Sequence, residues 1–336
     1  MRTWTLIALV AAVGCGDKDT DGDTAAGGDT ASDGSGVAPL ADSSNGQCPD
    51  LSASGTTSTF SSADLDRTVT VYYPDDTDQE LGVVFYFHGL LFLKPGEKGY
   101  DGNLTQEMGS GIGAQGLANE HGVVVVIPEA PVLEREVPVF GTLSAYLWNV
   151  EDGRHDTDLT LYDDLRTCVA EEFPSVDLDR VAAMGFSGGA LFTSAVSMFR
   201  GDTLAAAAEM SGGADISLDD VQFLSFIAEA DILTYQSPAT KIPMLLTSGG
   251  EGDIWPDPSF AIFDFELASD GFEQHLVDDE HFVVRCRDEN GHAATRDEVS
   301  FAIDWVTRHR FGEASPYQTE GIGDAPDGCE ISGEGE

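Results

Sequence analysis

Ser187 stands in the stretch Gly185-Phe186-Ser187-Gly188-Gly189, between an apolar run of strand length, Val181 to Phe186, and a helical segment that begins near Ala190. A serine on a tight strand-to-helix turn, flanked by glycines that remove colliding Cβ atoms, is set up as a nucleophile. The helix N-terminus and the backbone N–H of Gly188 then face the oxygen on which negative charge would develop. Such a serine needs a base, and the base needs an acid to hold its tautomer. Downstream, the predicted strand Ile242 to Thr247 runs into Gly249-Gly250-Glu251-Gly252-Asp253, and Asp253 is the expected acid, with Glu251 and Asp257 as its rivals. The next predicted strand, His281 to Arg285, leads to Asn290-Gly291-His292, which makes His292 the expected base. His121 and His281 flank strands, His309 belongs to the last predicted helix, and His155 and His275 lack a turn of this kind.

Upstream, the apolar strand Val83 to Phe87 ends in His88-Gly89-Leu90, and the backbone N–H of Leu90 is the expected second donor to the oxyanion. His88 precedes the nucleophile, the wrong side for the base in the order Ser, Asp, His, so it is assigned a structural role. Trp148, in Tyr146-Leu147-Trp148-Asn149, is a candidate substrate contact able to stack on a phenolic or sugar ring, and equally a core tryptophan.

These residues need a scaffold that delivers them to one place. Further strand-length apolar runs occur at Val69 to Tyr73, Val123 to Ile127 and Ala205 to Met210. Between the runs lie segments with helical spacing, such as Leu159, Tyr162, Leu165, Arg166 and Val169, and near the end Val299, Ala302, Ile303 and Val306. Alternating buried strands and helices predict an α/β architecture, a mostly parallel central sheet with helices on both faces. No repeat and no linker divides the span from Leu51 to Phe311, so one catalytic domain is expected over residues 48–312. Residues 313–336 are read as an acidic, Gly-rich tail.

The N-terminal residues have another character. Arg2 precedes the apolar run Trp4 to Val13, too short to span a bilayer and shaped like a signal peptide over residues 1–14. Ala11-Ala12-Val13-Gly14-Cys15 resembles a bacterial lipoprotein processing site, with Ala12 in place of the usual leucine, which would make Cys15 a lipidated N-terminus and tie the protein to a membrane. The alternative is an ordinary cleaved signal peptide and a secreted protein. Asp17 to Gln47 is Asp, Gly, Thr, Ala and Ser with almost no large apolar residue, and is read with Cys15 as a disordered acidic tether over residues 15–47. Within it, Asp17-Lys18-Asp19-Thr20-Asp21-Gly22 matches the first half of a calcium-binding loop, but Gly28 stands where the bidentate Glu belongs, so no metal site is expected.

The formal net charge of the 336 residues is -44, and the tether, with seven Asp and one Lys, carries only about six of those charges. The folded part is itself strongly acidic, which disfavours nucleic acid and anionic polymers and favours neutral or cationic substrates. Apart from Cys15 the chain has Cys48, Cys168, Cys286 and Cys329, an even set that predicts two disulfides in an exported protein. Three connectivities are open. Cys48 with Cys329, clasping the ends of the domain, is the expected pair.

Together, Val83-Val84-Phe85-Tyr86-Phe87-His88-Gly89, Asp179-Arg180-Val181 leading to Gly185-Phe186-Ser187-Gly188-Gly189, Gly252-Asp253-Ile254-Trp255-Pro256 and Asn290-Gly291-His292 resemble the polyhydroxybutyrate depolymerase and feruloyl esterase family of secreted α/β-hydrolases. The resemblance spans roughly residues 65 to 311. It implies hydrolysis of carboxylic esters, without a cofactor, through Ser187, Asp253 and His292. Leu90 stands where depolymerases of this family often carry cysteine, and no polymer-binding module accompanies the domain, which shifts the expectation toward small or oligomeric esters. A peptidase on the same fold, or a binding module that has kept a hydrolase scaffold, are the competing readings.

Overall fold

The computed structural model describes residues 36–93, 104–137, 141–218, 228–257, 260–323 and 325–333. The apolar run from Trp4 to Val13, Cys15, the half calcium loop and most of the tether lie outside the described residues. The described residues belong to one compact unit that begins at Ser35.

Fourteen strands occur among them: β1 (Thr57–Ser62), β2 (Leu65–Tyr72), β3 (Leu81–Phe87), β4 (Leu91–Phe92), β5 (Val123–Pro128), β6 (Val132–Val137), β7 (Gly141–Tyr146), β8 (Val176–Phe186), β9 (Ala206–Met210), β10 (Met244–Ser248), β11 (Ile254–Asp257), β12 (Phe260–Asp264), β13 (Val283–Arg287) and β14 (Cys329–Ile331). The α-helices are α1 (Leu104–Ile112), α2 (Ala114–His121), α3 (Asp156–Glu172), α4 (Gly188–Arg200), α5 (Phe265–Asp278), α6 (Arg296–Arg308) and α7 (Pro316–Glu320).

Nine strands form one sheet in the order β1-β2-β5-β3-β8-β9-β10-β13-β14. The six from β5 to β13 run parallel to their neighbours, whereas β1, β2 and β14 add antiparallel pairings at the edges. Parallel strands are buried on both faces, which is why β3 and β5 read as unbroken apolar runs, Leu81–Phe87 and Val123–Pro128. Their alternate residues supply two cores. Val83, Phe85 and Phe87 pack with Leu165 of α3, Phe192 of α4 and Phe272 of α5. Val84 and Tyr86 pack on the other face with Leu117 of α2 and with Phe301 and Trp305 of α6. A small sheet, β4-β7-β6, stands apart from the main one.

Three expectations are corrected. The disulfides join Cys48 to Cys168 and Cys286 to Cys329, so no bridge clasps the two ends of the domain. Cys286 and Cys329 are opposite residues of the antiparallel pair β13–β14, and Cys168 lies on α3. The second correction concerns the end of the expected tether. Ala38 donates its N–H to the carbonyl of Asp202, Arg166 and Thr167 on α3 donate to the carbonyls of Ala38 and Ala41, and Ser44 donates both its N–H and its hydroxyl to Asp164. Polar docking of this kind leaves no apolar periodicity in the sequence. The third concerns the acidic tail. It carries α7, whose buried Tyr317 stacks on Trp305 of α6, and β14, the ninth strand of the sheet.

Candidate active site

The turn after β8 carries Ser187 at φ +57° and ψ -125°, a conformation that residues other than glycine rarely adopt. Its N–H donates to the carbonyl of Met210 at the end of β9, and α4 starts at Gly188. The glycines around it are steric necessities. A Cβ on Gly185 would lie 2.3 Å from the carbonyl oxygen of Gly189, and one on Gly189 would lie 2.0 Å from that of Phe87. With β3 on one side and β9 on the other, β8 delivers the serine at the middle of the sheet.

The loops after β10 and β13 are locked together by a second glycine contact. Gly249 lies so close to Gly291 that a Cβ on it would sit 1.9 Å from the Gly291 carbonyl oxygen, and the N–H of Gly291 donates to the carbonyl of Gly249. Asp253 and His292 therefore meet. His292 Nδ1 lies 2.7 Å from Asp253 Oδ1, and His292 Nε2 lies 2.9 Å from Ser187 Oγ. With Nδ1 donating to the Asp253 carboxylate, Nε2 is left to accept from the Ser187 hydroxyl. The imidazole is held between the rings of Phe186 and Phe265, at centroid distances of 5.1 and 4.4 Å.

Asp253 is wholly buried, and its second oxygen, Oδ2, accepts from the Ser211 hydroxyl at 2.8 Å and from the N–H of Gly249 at 3.0 Å. Its rival Glu251 is exposed. The side chain of the other rival, Asp257, lies outside the described residues.

The segment after β3 closes over Ser187. A Cβ on Gly89 would stand 3.2 Å from Ser187 Cβ, and one on Gly188 would stand 3.3 Å from the backbone nitrogen of Leu90. The backbones of Leu90 and Gly188 thus come together beside the serine. His88 holds this segment in place and is fully buried, which pushes its imidazole down to about 4 and keeps it neutral. Its Nε2 accepts from the N–H of Ala130, which leaves Nδ1 to donate to the carbonyl of Gly89. Trp148 completes the brace by donating its indole N–H to the carbonyl of His88 at 2.8 Å.

Trp148 is only 1% exposed, with its ring stacked on Phe192 at 4.7 Å and edge-on to Phe87. It forms a wall, not a free stacking platform. A cavity opens beside Ser187, walled by Leu147, Trp148, Val150, Leu191, Ile232 and Phe263, among others, with Glu151 as the only charged residue among its described lining. Trp255, also in the lining, stacks on the half-exposed Phe92 at 5.8 Å.

Two residues here escaped the sequence reading. Ser211 follows the predicted strand Ala205 to Met210 and precedes Gly212-Gly213, so a turn was legible but its contact was not. Glu209 lies inside β9, buried under the same turn. Its carboxyl accepts from the Ser194 hydroxyl at 2.8 Å and from the Gly213 N–H at 3.0 Å, and burial pushes it up to about 8. Among the described residues no group of three or more His, Cys, Asp or Glu side chains is gathered as a metal ion would require.

No family model and no curated protein matches the sequence. Solved structures do. A serine-to-alanine variant of pOPH in a complex with pNPB is 17% identical, with 85% of this chain and 96% of that one covered and a TM-score of 0.62. Native sOPH is 19% identical, with 82% and 93% covered and a TM-score of 0.61. The chain has the α/β-hydrolase fold. At such identities the likeness speaks to the fold alone. Within an α/β-hydrolase, the turn after the central strand, the loop after β3 and the loops after β10 and β13 all open at the carboxyl edge of the parallel strands, where sheets of this kind bind ligands.

Proposed function

We propose that this α/β-hydrolase is an exported serine esterase that cleaves carboxylic esters through an acyl-enzyme. One observation carries the reading: the hydrogen-bonded chain from Ser187 through His292 to buried Asp253, at the wall of an apolar cavity. Surface serines and histidines have no physical need of such a chain. In the proposed reaction Ser187 Oγ attacks the ester carbonyl carbon while His292 Nε2 takes the hydroxyl proton. The carbonyl oxygen, now negative, accepts from the backbone N–H groups of Leu90 and Gly188. Collapse breaks the bond to the alkoxy oxygen, which leaves as the alcohol with the proton returned by His292. Water then repeats the sequence on the acyl-enzyme and releases the carboxylic acid and free Ser187. Asp253 holds the His292 tautomer and stabilises the imidazolium throughout. No step calls for a cofactor.

The apolar lining favours uncharged esters, feruloyl-type or short polyester and oligoester substrates, over charged ones. The same lining argues against a peptide substrate, whose polar backbone amides would lie there with few partners. Export is supported by the two disulfides and by the signal-like run before Cys15, whose lipidation would anchor the enzyme at a membrane. The deciding experiment is labelling by a fluorophosphonate probe, with Ser187→Ala as control. Labelling of the native protein alone supports the proposal, and a folded native protein that does not label refutes it. Hydrolysis of p-nitrophenyl esters of rising acyl length, methyl ferulate and hydroxybutyrate oligomers then ranks the substrates.

A further inference from the structure

Ser211 is held at φ +56°, in the left-handed region, although its neighbours Gly212 and Gly213 show that the chain uses glycine freely at this turn. Glycine would adopt that angle without strain, so a serine kept there points to work done by its side chain. The side chain makes one contact of note, donating its hydroxyl to Asp253 Oδ2 at 2.8 Å from a position only 2% exposed. His292 uses the other oxygen of the same carboxylate.

We propose that Ser211 is a positioning residue for the hydrolytic reaction, one that fixes the plane of the Asp253 carboxylate so that Oδ1 meets His292 Nδ1. The proposal rests on the reading of Asp253 as the acid of a serine hydrolase. A carboxylate attached to its backbone through two rotatable bonds can present either oxygen, or neither, to an imidazole. Two donors on Oδ2, the Ser211 hydroxyl and the Gly249 N–H, remove that freedom and compensate the charge in a site closed to water.

The turn that carries Ser211 is itself held from several sides. The Ser211 N–H donates to the carbonyl of Thr247 on β10, and Ser269 of α5 donates to the carbonyl of Gly212. Glu209 accepts from the Gly213 N–H and, through Ser194, ties the turn to α4, the helix that starts beside Ser187. The positions of nucleophile and acid are thus set by one connected piece of structure, with the Ser211 hydroxyl as its last link to the acid.

The test compares Ser211→Ala, which keeps the strain and loses the hydroxyl, with Ser211→Gly, which loses both. Active sites are counted by fluorophosphonate labelling, and kcat and KM are measured on p-nitrophenyl butyrate with the full chain. Both variants are expected to lose kcat per labelled site by about 10- to 100-fold, the worth of one hydrogen bond to a charged group, with KM changed less than about 2-fold. Thermal unfolding separates this from a packing role, since relief of strain raises the midpoint of Ser211→Gly above that of Ser211→Ala while kcat stays low in both. An unchanged kcat in either folded variant, or a loss confined to KM, overturns the proposal. If Ser211→Ala does not fold, Ser211→Gly decides alone. A native protein that neither labels nor hydrolyses the ester is a different result: it sinks the hydrolase reading, and the role of Ser211 with it.

Discussion

Gly189 packs against Phe87 so closely that a single methyl group on its Cα would come within 2.0 Å of the Phe87 carbonyl oxygen. Both partners are backbone, one at the first turn of α4 and one at the end of the central strand β3, so neither can move aside. Gly189→Ala is expected to cost about 3 kcal/mol of stability, the upper part of the range for overpacking, and to displace Ser187 from His292. Denaturant unfolding and fluorophosphonate labelling read the two effects. A variant of native stability and labelling rate would show that the elbow tolerates a Cβ.

The Asp253–His292 contact should be unequal in importance to the His292–Ser187 contact. On the proposed mechanism, replacing His292 by Ala removes the proton acceptor, and kcat is expected to fall by roughly five to six orders of magnitude. Asp253→Asn preserves size but offers an amide that favours the wrong tautomer, and a loss of about 10⁴-fold is expected. Glu251→Gln, at an exposed position beside it, should change kcat by less than about 2-fold. Steady-state rates of the three variants on one p-nitrophenyl ester check the ranking, and a loss in Glu251→Gln that matches Asp253→Asn would reassign the acid.

Glu209 makes stability depend on pH. Burial lifts its carboxyl from 4.5 to about 8, so the folded protein retains a proton that the unfolded chain gives up above pH 4.5. Its contribution is therefore complete below pH 4.5 and is lost as pH rises from there through about 8. Glu209→Gln can still accept from the Gly213 N–H while donating to Ser194, and it does not titrate. Relative to the native protein, it should gain stability progressively over that window, reaching on the order of 4 kcal/mol by its upper end. Urea unfolding near the two ends of the window measures the difference. A stability gap that does not vary with pH would mean that Glu209 is ionised in the fold.

The two disulfides close loops of different length, with sequence separations of 120 for Cys48–Cys168 and 43 for Cys286–Cys329. Chain entropy assigns them about 5 and about 4 kcal/mol. Paired Cys→Ser replacements should destabilise in that order. Loss of the first should also expose residues 38–48 to proteolysis, since the bridge pins that segment to α3. Loss of the second should free β14 while leaving the labelling of Ser187 intact, because β14 lies at the sheet edge, separated from β8 by β9, β10 and β13. Limited proteolysis under reducing conditions gives an independent measure.

What the sequence determined by itself was whatever local backbone geometry demands. Gly185 and Gly189 around Ser187 announce a strained turn because no other residue fits between a strand and a helix so near each other. The apolar runs at Leu81–Phe87 and Val123–Pro128 announce strands covered on both faces for an equally local reason, the alternation of side chains along a strand. Asp253 and His292 could be nominated because each follows such a strand in a turn rich in glycine, and chain order supplied the rest.

Only the tertiary structure decided which groups meet across long separations. The Ser211 hydroxyl reaches Asp253 over 42 positions, and Cys48 reaches Cys168 over 120, with no periodicity to mark either. Trp148 became a wall of the cavity because Phe87 and Phe192 close on it from other elements. Residues 38–44 and the C-terminal α7 and β14 joined the domain through hydrogen bonds, one strand pairing, one bridge, the buried Tyr317 and scattered apolar contacts of Ile322 and Ile331, which leave no run of large apolar residues to reveal a core in sequence. Pattern reports how a segment relates to its own axis. Contact between segments is set by the packing of the whole chain.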